Sequence, residues 1–386
     1  MKKYVLLSLI IFTFSCSENK KSTLDVLQNE NFDYQEYIPK GNEIVISRAE
    51  YLNKLKGFWL GQCIANWTGL VTENDKIGNI GESKTGDFYT REDWGKKDKL
   101  NLPKNKVDQY IDFVFEGKDG MWGADDDTDI EYMYQHLVYM NKTSKLNGQQ
   151  IRNGWLKHIK HEEQNYLWVS NQRALDLMIS GIVPPETSDP INNPDFDMID
   201  AQLTTEVFGF YSPGRPDFAV QMAELPIQTT ARFNAEWISK FYVSMYSLAA
   251  NSDPNLSYKE NLLIIAEKSR EQLPNDSYAS KMYDFVKKQY NEGIPWETIR
   301  DNVYVRYQVE EKDGYDITSR NLNCNGCFAA GINFAASLVS LFAGEGDLKE
   351  TIKLGSLMGW DSDNPTATWG GLIGFMIGKD GVEKAF

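Results

Sequence analysis

The sequence predicts an all-α protein, and three observations support this fold class. Apolar residues recur at helical spacing in long stretches from residue 47 onward. Strand-like alternation is nearly absent, and residues 43–46 (EIVI) are the best candidate for a strand. No period of roughly 30–50 residues repeats, which disfavours a helical solenoid. With 41% hydrophobic residues among 386, the chain can bury a large core, so we expect one multi-helix domain over residues 41–386.

The first helix is expected to begin directly after Ser47. Ser47 and Glu50 have the spacing of a capping box, and the apolar residues that follow keep a helical period as far as Asn66. Two long connectors, 71–120 and 182–197, are rich in Gly, Pro and Asp and are expected to be loops. The remaining helices are expected at about 129–141, 149–162, 166–180, 215–226, 230–250, 257–272, 276–291, 296–308, 326–343, 347–358 and 364–378.

Two helices near the C-terminus have unusual compositions. Residues 328–342 are apolar on every side but too few to span a membrane, which predicts a buried central helix. The last helix carries Gly370, Gly371, Gly374 and Gly378. Small residues at this spacing allow two helix backbones to approach closely, so we expect the last helix to pack tightly against another one.

The N-terminus has the pattern of a bacterial secretory signal. Lys2 and Lys3 precede a short apolar run, and Cys16 follows directly. This pattern predicts a signal peptide over 1–15, a lipidated N-terminus at Cys16 and a flexible tether over 16–40. A cleaved signal followed by a chance cysteine is the alternative. The lipid would anchor the protein, which we expect to be a monomer, to a membrane of the cell envelope, with the periplasmic or outer face left open.

Charge and cysteine content exclude several classes of protein. The chain has 55 acidic and 40 basic residues and a formal net charge of −15, without a basic patch, which argues against binding of nucleic acid. Beyond Cys16 only Cys63, Cys324 and Cys327 remain, and one CxxC without a second pair is not a zinc ribbon. We interpret this CxxC as a helix start rich in small residues, with a disulfide as the alternative.

Only three histidines occur in the chain, so a Ser-His-Asp nucleophile is a poor candidate for its chemistry. His136 follows the first acidic cluster on the same predicted helix, and we interpret it as a packed helix residue. His158 and His161 lack a third metal-binding partner nearby in the sequence, so we assign them to a solvated helix face.

Two acidic clusters carry the functional signal. Asp125-Asp126-Asp127-Thr128-Asp129 and Asp361-Ser362-Asp363-Asn364 each stand where a loop meets the start of an apolar helix. Either cluster alone is explained as helix capping. Two such clusters in apolar surroundings would repel themselves unless a cation were bound. Oxygen ligands suit hard ions such as Mg²⁺ or Mn²⁺, and the spacing does not fit an EF-hand.

Four segments together resemble the ADP-ribosylglycohydrolase family. They are 57–73 (GFWLGQCIANWTGLVTE), 123–129 (GADDDTD), 199–219 (IDAQLTTEVFGFYSPGRPDFA) and 359–374 (GWDSDNPTATWGGLIG). The resemblance spans about residues 47–380. It implies an all-α domain with two Mg²⁺ or Mn²⁺ ions in a central cleft, which hydrolyses the glycosidic bond at the anomeric carbon of an ADP-ribosyl group.

The resemblance also assigns roles to individual residues. It places the metal ligands at Asp125, Asp126, Asp127, Asp361, Asp363 and Asn364. It places the general base at Glu73 or Asp126. Candidate substrate-binding residues beside these motifs are Asn66, Trp122, Trp360, Ser362, Arg215 and Arg232, of which the arginines would meet a diphosphate. The chain departs from the family pattern at three positions, where Asp125 and Asn364 replace threonines and Asn66 replaces an aspartate.

The predicted export leaves the substrate open. ADP-ribosyl groups, free or linked to protein, are chiefly intracellular, whereas the leader predicts a protein outside the cytoplasm. One alternative keeps the metal-dependent hydrolysis and changes the substrate to an exogenous glycoside or nucleoside-like compound. A second alternative is a non-catalytic, all-α glycan-binding lipoprotein, which would not need paired acidic motifs.

Overall fold

A computed structural model describes residues 41, 43–80, 85–98, 110–117, 120–123, 125–160 and 167–386, apart from the side chain of Asp127. Residues Glu43–Phe386 form one compact unit. The predicted signal peptide, Cys16 and the tether lie outside the described residues. In the described part the chain is helical, with isolated bridges in place of strands, so the all-α prediction is confirmed. Residues 43–46 are not a strand.

The helices follow the predicted order closely. Each predicted helix is present. The described elements that the periodicity did not predict are all short, namely the single turn α5 and the 3₁₀ helices Arg91–Asp93, Glu186–Ser188, Glu206–Tyr211 and Lys312–Gly314. The helices are α1 Arg48–Gly69, α2 Asp126–Asn141, α3 Gly148–His158, α4 Val169–Ile179, α5 Ala201–Thr204, α6 Pro216–Ile227, α7 Asn234–Ala249, α8 Tyr258–Ser269, α9 Tyr278–Asn291, α10 Trp296–Val303, α11 Ala330–Gly344, α12 Leu348–Ser356 and α13 Asp363–Ala385.

Local signals fix several of the helix ends. The Ser47 hydroxyl accepts a hydrogen bond from the Glu50 N–H at the start of α1, as the capping pattern predicts. A reciprocal capping box between Ser257 and Glu260 opens α8. Gly378, the predicted end of this helix, has a φ of 72° and kinks α13. The helix continues beyond the kink to Ala385.

α11 is the centre of the domain. Every residue of this helix except Ala343 is buried, which confirms the prediction from its apolar composition. The helix packs against α7, α9, α12 and α13. Among the described helices none is long and apolar enough to cross a membrane.

The glycines of α13 face α1. A Cβ added to Gly370 or Gly374 would overlap with backbone atoms of Gly61 or Gly57, and a Cβ on Gly69 would overlap with Asp363. The two helices are therefore antiparallel and in backbone contact, so the end of α1 lies beside the start of α13. This arrangement confirms the predicted close helix packing and brings the end of the segment 57–73 beside the start of the segment 359–374.

Candidate active site

A cavity of about 290 Å³ opens where the end of α1 meets the starts of α2, α4 and α13. Carboxyl groups form its polar wall. They belong to Glu73, Asp125, Asp126, Asp129, Asp200, Asp361 and Asp363, and Asn364 lies among them. Apolar side chains and one histidine form the rest, namely Leu70, Ile130, Met133, His158, Ile159, Leu167, Trp168, Val169, Ile199 and Phe328. Both acidic clusters of the sequence therefore meet in one cavity.

Three of these carboxylates are grouped closely enough to share a cation. One ligand oxygen each of Glu73, Asp361 and Asp363 lies within 4.8 Å of the others. Glu73 follows α1, whereas Asp361 and Asp363 stand at the start of α13, so the antiparallel pairing of these helices creates the group. Asn74 supports it, since its amide donates to Glu73 Oε1 over 2.9 Å and its backbone N–H donates to the Trp360 carbonyl over 2.7 Å.

The turn before α13 orients Asp361. Gly359 has a φ of 83°, and a Cβ there would overlap with the Lys76 carbonyl. The Asp361 N–H donates to Oδ1 of Asn333 on α11 over 3.2 Å. The Asn333 amide in turn donates to the carbonyls of Cys327 and Ala329 over 2.8 and 3.0 Å. The buried central helix therefore holds the acidic turn in place.

Asp125 is held by α1. The Asn66 amide donates to Asp125 Oδ2 over 2.6 Å, and Asp125 stands at the cap position of α2. Asn66 is buried and supports the carboxylate from behind, and it is not among the residues that line the cavity. Burial, followed by the charges of Asp363 and Asp126, raises the pKa of Asp125 well above its ordinary value.

Asp126 and Asp200 are both tied to the start of α4. Asp126 Oδ2 accepts from the Asn171 amide over 3.2 Å and from the Trp168 N–H over 3.4 Å. Asp200 accepts from the Ser170 hydroxyl over 2.7 Å and from the Asn171 N–H over 3.1 Å. Burial, with the charge of Asp200 added, raises the pKa of Asp126 to about 7, and burial raises the pKa of Asp200 to about 6.

The chemistry of these donors fits a hard divalent cation. Burial, followed by the charges of Asp363 and Glu73, raises the pKa of Asp361 well above its ordinary value. No Lys or Arg is among the described residues that line the cavity. A divalent cation would offset the repulsion between these acids, and oxygen donors are what Mg²⁺ and Mn²⁺ prefer.

Several predicted substrate-binding residues lie away from the cavity wall. Trp360 is fully buried, with its ring 4.7 Å from that of Phe88, because the turn at Gly359 directs it into the core. Ser362 is also buried and donates to the Gly69 carbonyl over 3.0 Å. Trp122 is half-buried beside Trp67, at a ring distance of 6.4 Å, outside the set of cavity-lining residues.

The two arginines expected to meet a diphosphate are also elsewhere. Arg215 is exposed at the start of α6, where it pairs with Asp217 over 3.1 Å. Arg232 donates to the Pro185 carbonyl over 2.6 Å. Neither arginine is among the residues that line the cavity.

The sequence did not predict several other residues that line the cavity. Asp200 lies within the third segment that carries the family resemblance, yet it stands alone and forms no acidic cluster. Trp168 and Phe328 face each other at 6.1 Å with their rings 20° from parallel, and nothing in their sequence context indicates this. Phe328 follows Cys327, which forms a disulfide with Cys324, the alternative left open for the CxxC. His158 is exposed, as its assignment to a solvated helix face predicts, and it also lines the cavity, with its ring 5.1 Å from that of His136.

Comparison with known proteins decides the family. The sequence profile described as ADP-ribosylglycohydrolase matches residues 47–386, which is most of the chain. The chain belongs to the ADP-ribosylglycohydrolase family. This membership identifies it as an enzyme that hydrolyses glycosyl bonds, which excludes the non-catalytic glycan-binding alternative.

One solved structure similar to this family member is described as an "ADP-ribosylglycohydrolase-related protein complex". The two chains share 16% sequence identity, with a TM-score of 0.49, over 87% of this chain and 91% of the other. No curated protein matches this sequence.

Proposed function

We propose that this chain is a divalent-metal-dependent hydrolase that cleaves the bond at the anomeric carbon of a ribosyl group, ADP-ribosyl or related. The observation that carries the proposal is the group of Glu73, Asp361 and Asp363, whose ligand oxygens lie within 4.8 Å of one another at the cavity wall. These three residues and Asp125 would hold the metal. We propose two ions, Mg²⁺ or Mn²⁺, with Asn364 and Asp127 as the further ligand candidates.

The bound metal would supply Lewis acidity and a fixed position for the hydroxyl groups of the sugar. The protein residues then have separate tasks. Asn66, Asn74 and Asn333 fix the carboxylates by hydrogen bonds to Asp125, Glu73 and the Asp361 backbone. The apolar side of the cavity would exclude bulk water from the sugar. The attacking water would then be one that is held beside the carboxylates.

Asp126 is the better candidate for the general base. Glu73 belongs to the metal-binding group, whereas Asp126 lines the cavity outside that group. Its Oδ2 is held by Asn171 and Trp168, which leaves Oδ1 to take a proton from the attacking water. With a pKa of about 7, this carboxylate can both accept and release a proton near neutral pH.

The test is a substrate panel assayed with the full chain in Mg²⁺ or Mn²⁺ and again in excess chelator. The panel contains ADP-ribosyl-arginine, ADP-ribosyl-serine, ribonucleosides and aryl glycosides. We expect release of the leaving group only with metal, and a loss of kcat of about 10²–10⁴-fold in Asp126→Asn. The control is Asp380→Asn, an exposed acid at the outer end of α13. Activity that persists in chelator would contradict the proposal.

We also propose that the enzyme is a lipoprotein of the cell envelope. The basis is the leader sequence over residues 1–15, which Cys16 follows directly. Incorporation of labelled lipid should be lost in Cys16→Ala and kept in Cys63→Ala. Labelling that survives Cys16→Ala would refute the anchor.

A further inference from the structure

The disulfide between Cys324 and Cys327 lies directly beside the cavity. Cys327 is buried, whereas Cys324 is half-buried. The next residue, Phe328, lines the cavity, and its ring is stacked on that of Trp168. The helix at the centre of the domain, α11, begins at Ala330. The crosslink therefore fixes the stretch of chain that connects the cavity wall to this helix.

Hydrogen bonds connect the crosslinked turn to the site in two directions. The Cys327 carbonyl accepts from the Asn333 amide over 2.8 Å, and Asn333 Oδ1 accepts from the Asp361 N–H over 3.2 Å. The Phe328 carbonyl accepts from the N–H of Ile199, another residue of the cavity wall, over 2.9 Å. A shift of these two carbonyls would therefore reach both the acidic turn before α13 and the opposite wall.

The crosslinked turn contains several left-handed residues. The φ angles of Asn321, Asn323 and Asn325 are 49°, 39° and 57°, and that of Gly326 is 84°. A residue other than glycine stays in this region only where its surroundings hold it. Asn325 and Gly326 lie between the two cysteines, so the disulfide closes a ring around them. A crosslink over so short a loop adds less to the stability of a whole domain than one over a long loop, so its main effect is on this turn.

We propose that Cys324 and Cys327 form a thiol–disulfide exchange site, and that the oxidation state of this pair controls the order of the cavity wall. The oxidised pair holds Phe328 and the acceptor of Asn333 in place. Reduction releases the turn and weakens metal binding. The effect on metal rests on the proposed function, whereas the exchange reaction and the release of the turn do not.

The reaction partner is a dithiol reductant. One of its thiolates attacks Sγ of Cys324, the less buried of the two residues, and the S–S bond breaks. Cys327 leaves as a thiolate and takes up a proton. The second thiol of the reductant then attacks its own sulfur in the mixed disulfide, which releases Cys324 as a thiol. The cysteine pair gains two electrons and two protons, and the dithiol is oxidised to a disulfide.

The first test measures amide hydrogen exchange of the metal-free full chain by mass spectrometry. The chain is examined oxidised, after reduction with dithiothreitol, and after reoxidation with oxidised dithiothreitol, with thiol titration at each stage. We expect two further thiols on reduction and exchange at least about 10-fold faster in residues 195–200 and 321–335, both reversed by reoxidation. Residues 258–269 of α8 should not change. A disulfide that resists reduction in the folded chain, or unchanged exchange in the reduced chain, overturns the proposal.

The second test is calorimetric titration of Mn²⁺ after the reductant has been removed without air. The reduced chain and the double variant Cys324→Ser, Cys327→Ser should bind about 10-fold more weakly than the oxidised chain. Only the double variant should be insensitive to dithiothreitol, and Cys63→Ala should keep the wild-type response. Equal affinity of the oxidised and reduced chains overturns the link to the metal. If neither form binds Mn²⁺, the proposed function is wrong, and the exchange measurement alone decides whether the pair is a switch.

Discussion

Gly61 of α1 and Gly370 of α13 lie in direct backbone contact. A Cβ on Gly61 would overlap with the carbonyl oxygen of Gly370, and a Cβ on Gly370 would overlap with Ala65 and Gly61. Because the two helices are antiparallel, this contact sets the distance between Glu73, which follows α1, and Asp363, which begins α13. The geometry of the metal-binding group thus depends on residues that carry no chemistry of their own.

Substitution of Gly61 tests this dependence. Gly61→Ala should force α1 and α13 apart, which lowers the free energy of unfolding by about 1–3 kcal/mol and weakens Mn²⁺ binding. Gly117→Ala is the matched control, because a Cβ at Gly117 meets no atom within 4 Å. Denaturant unfolding and calorimetric titration measure the two effects. Wild-type metal affinity in Gly61→Ala would show that the helix contact does not position the carboxylates.

Asn333 should matter for the metal although it is not a ligand. Asn333→Ala removes the acceptor of the Asp361 N–H, so this turn loses its link to α11. We expect Mn²⁺ affinity to fall about 10-fold or more, as is typical when the support of a metal ligand is removed. Ser340→Ala, another buried polar residue of α11, is the control for general destabilisation. Equal effects of the two substitutions on metal affinity would argue against a specific role of Asn333.

Metal affinity should increase with pH. Burial raises the pKa of Asp125 and of Asp361 well above ordinary values, so protons compete with the metal for these two ligands. These groups are ionised only above their pKa values. The apparent Kd for Mn²⁺ should therefore fall at least about 10-fold between about pH 5.5 and about pH 7.5. A Kd that is constant over this range would contradict the assignment of these carboxylates as ligands.

A buried glutamate outside the cavity should make stability depend on pH. Glu131 accepts from the Gln62 amide over 2.8 Å and from the Val207 N–H over 2.6 Å. Burial raises its pKa from 4.5 to about 8. Burial and the charge of Glu131 also raise the pKa of Glu206 well above its ordinary value. Between about pH 4.5 and about pH 8 the folded protein holds a proton on Glu131 that the unfolded chain has lost. The free energy of unfolding therefore falls as the pH rises through this range.

The isosteric variant Glu131→Gln removes this titration. With Mg²⁺ present throughout, the Tm of the wild type should fall between about pH 6 and about pH 8.5. The Tm of the variant should fall less, by at least about 2 °C. Glu271→Gln, an exposed acid, serves as the control. Parallel Tm profiles for wild type and Glu131→Gln would mean that Glu131 is ionised in the folded protein.

The sequence predicted the helices well because their apolar faces repeat at a regular period. It missed α5, whose single turn is too short to show that period. Residue type alone indicated that each acidic cluster would repel itself without a cation, and the family resemblance predicted that both clusters contribute to one site. The sequence did not predict the positions of Trp360 and Trp168. The left-handed turn at Gly359 and Trp360, with φ values of 83° and 53°, buries the Trp360 side chain. The contact of the start of α4 with Asp126 places Trp168 at the cavity.

Glu73, Asp361 and Asp363 together should bind a divalent cation. Calorimetric titration of Mn²⁺ into the metal-free full chain tests it most directly, with the double variant Asp361→Asn, Asp363→Asn beside the wild type and Asp380→Asn as control. We expect saturable binding by the wild type and the control, and a loss of about 100-fold or more in the double variant. Absence of binding by the wild type, or equal affinity in the double variant, would contradict the account.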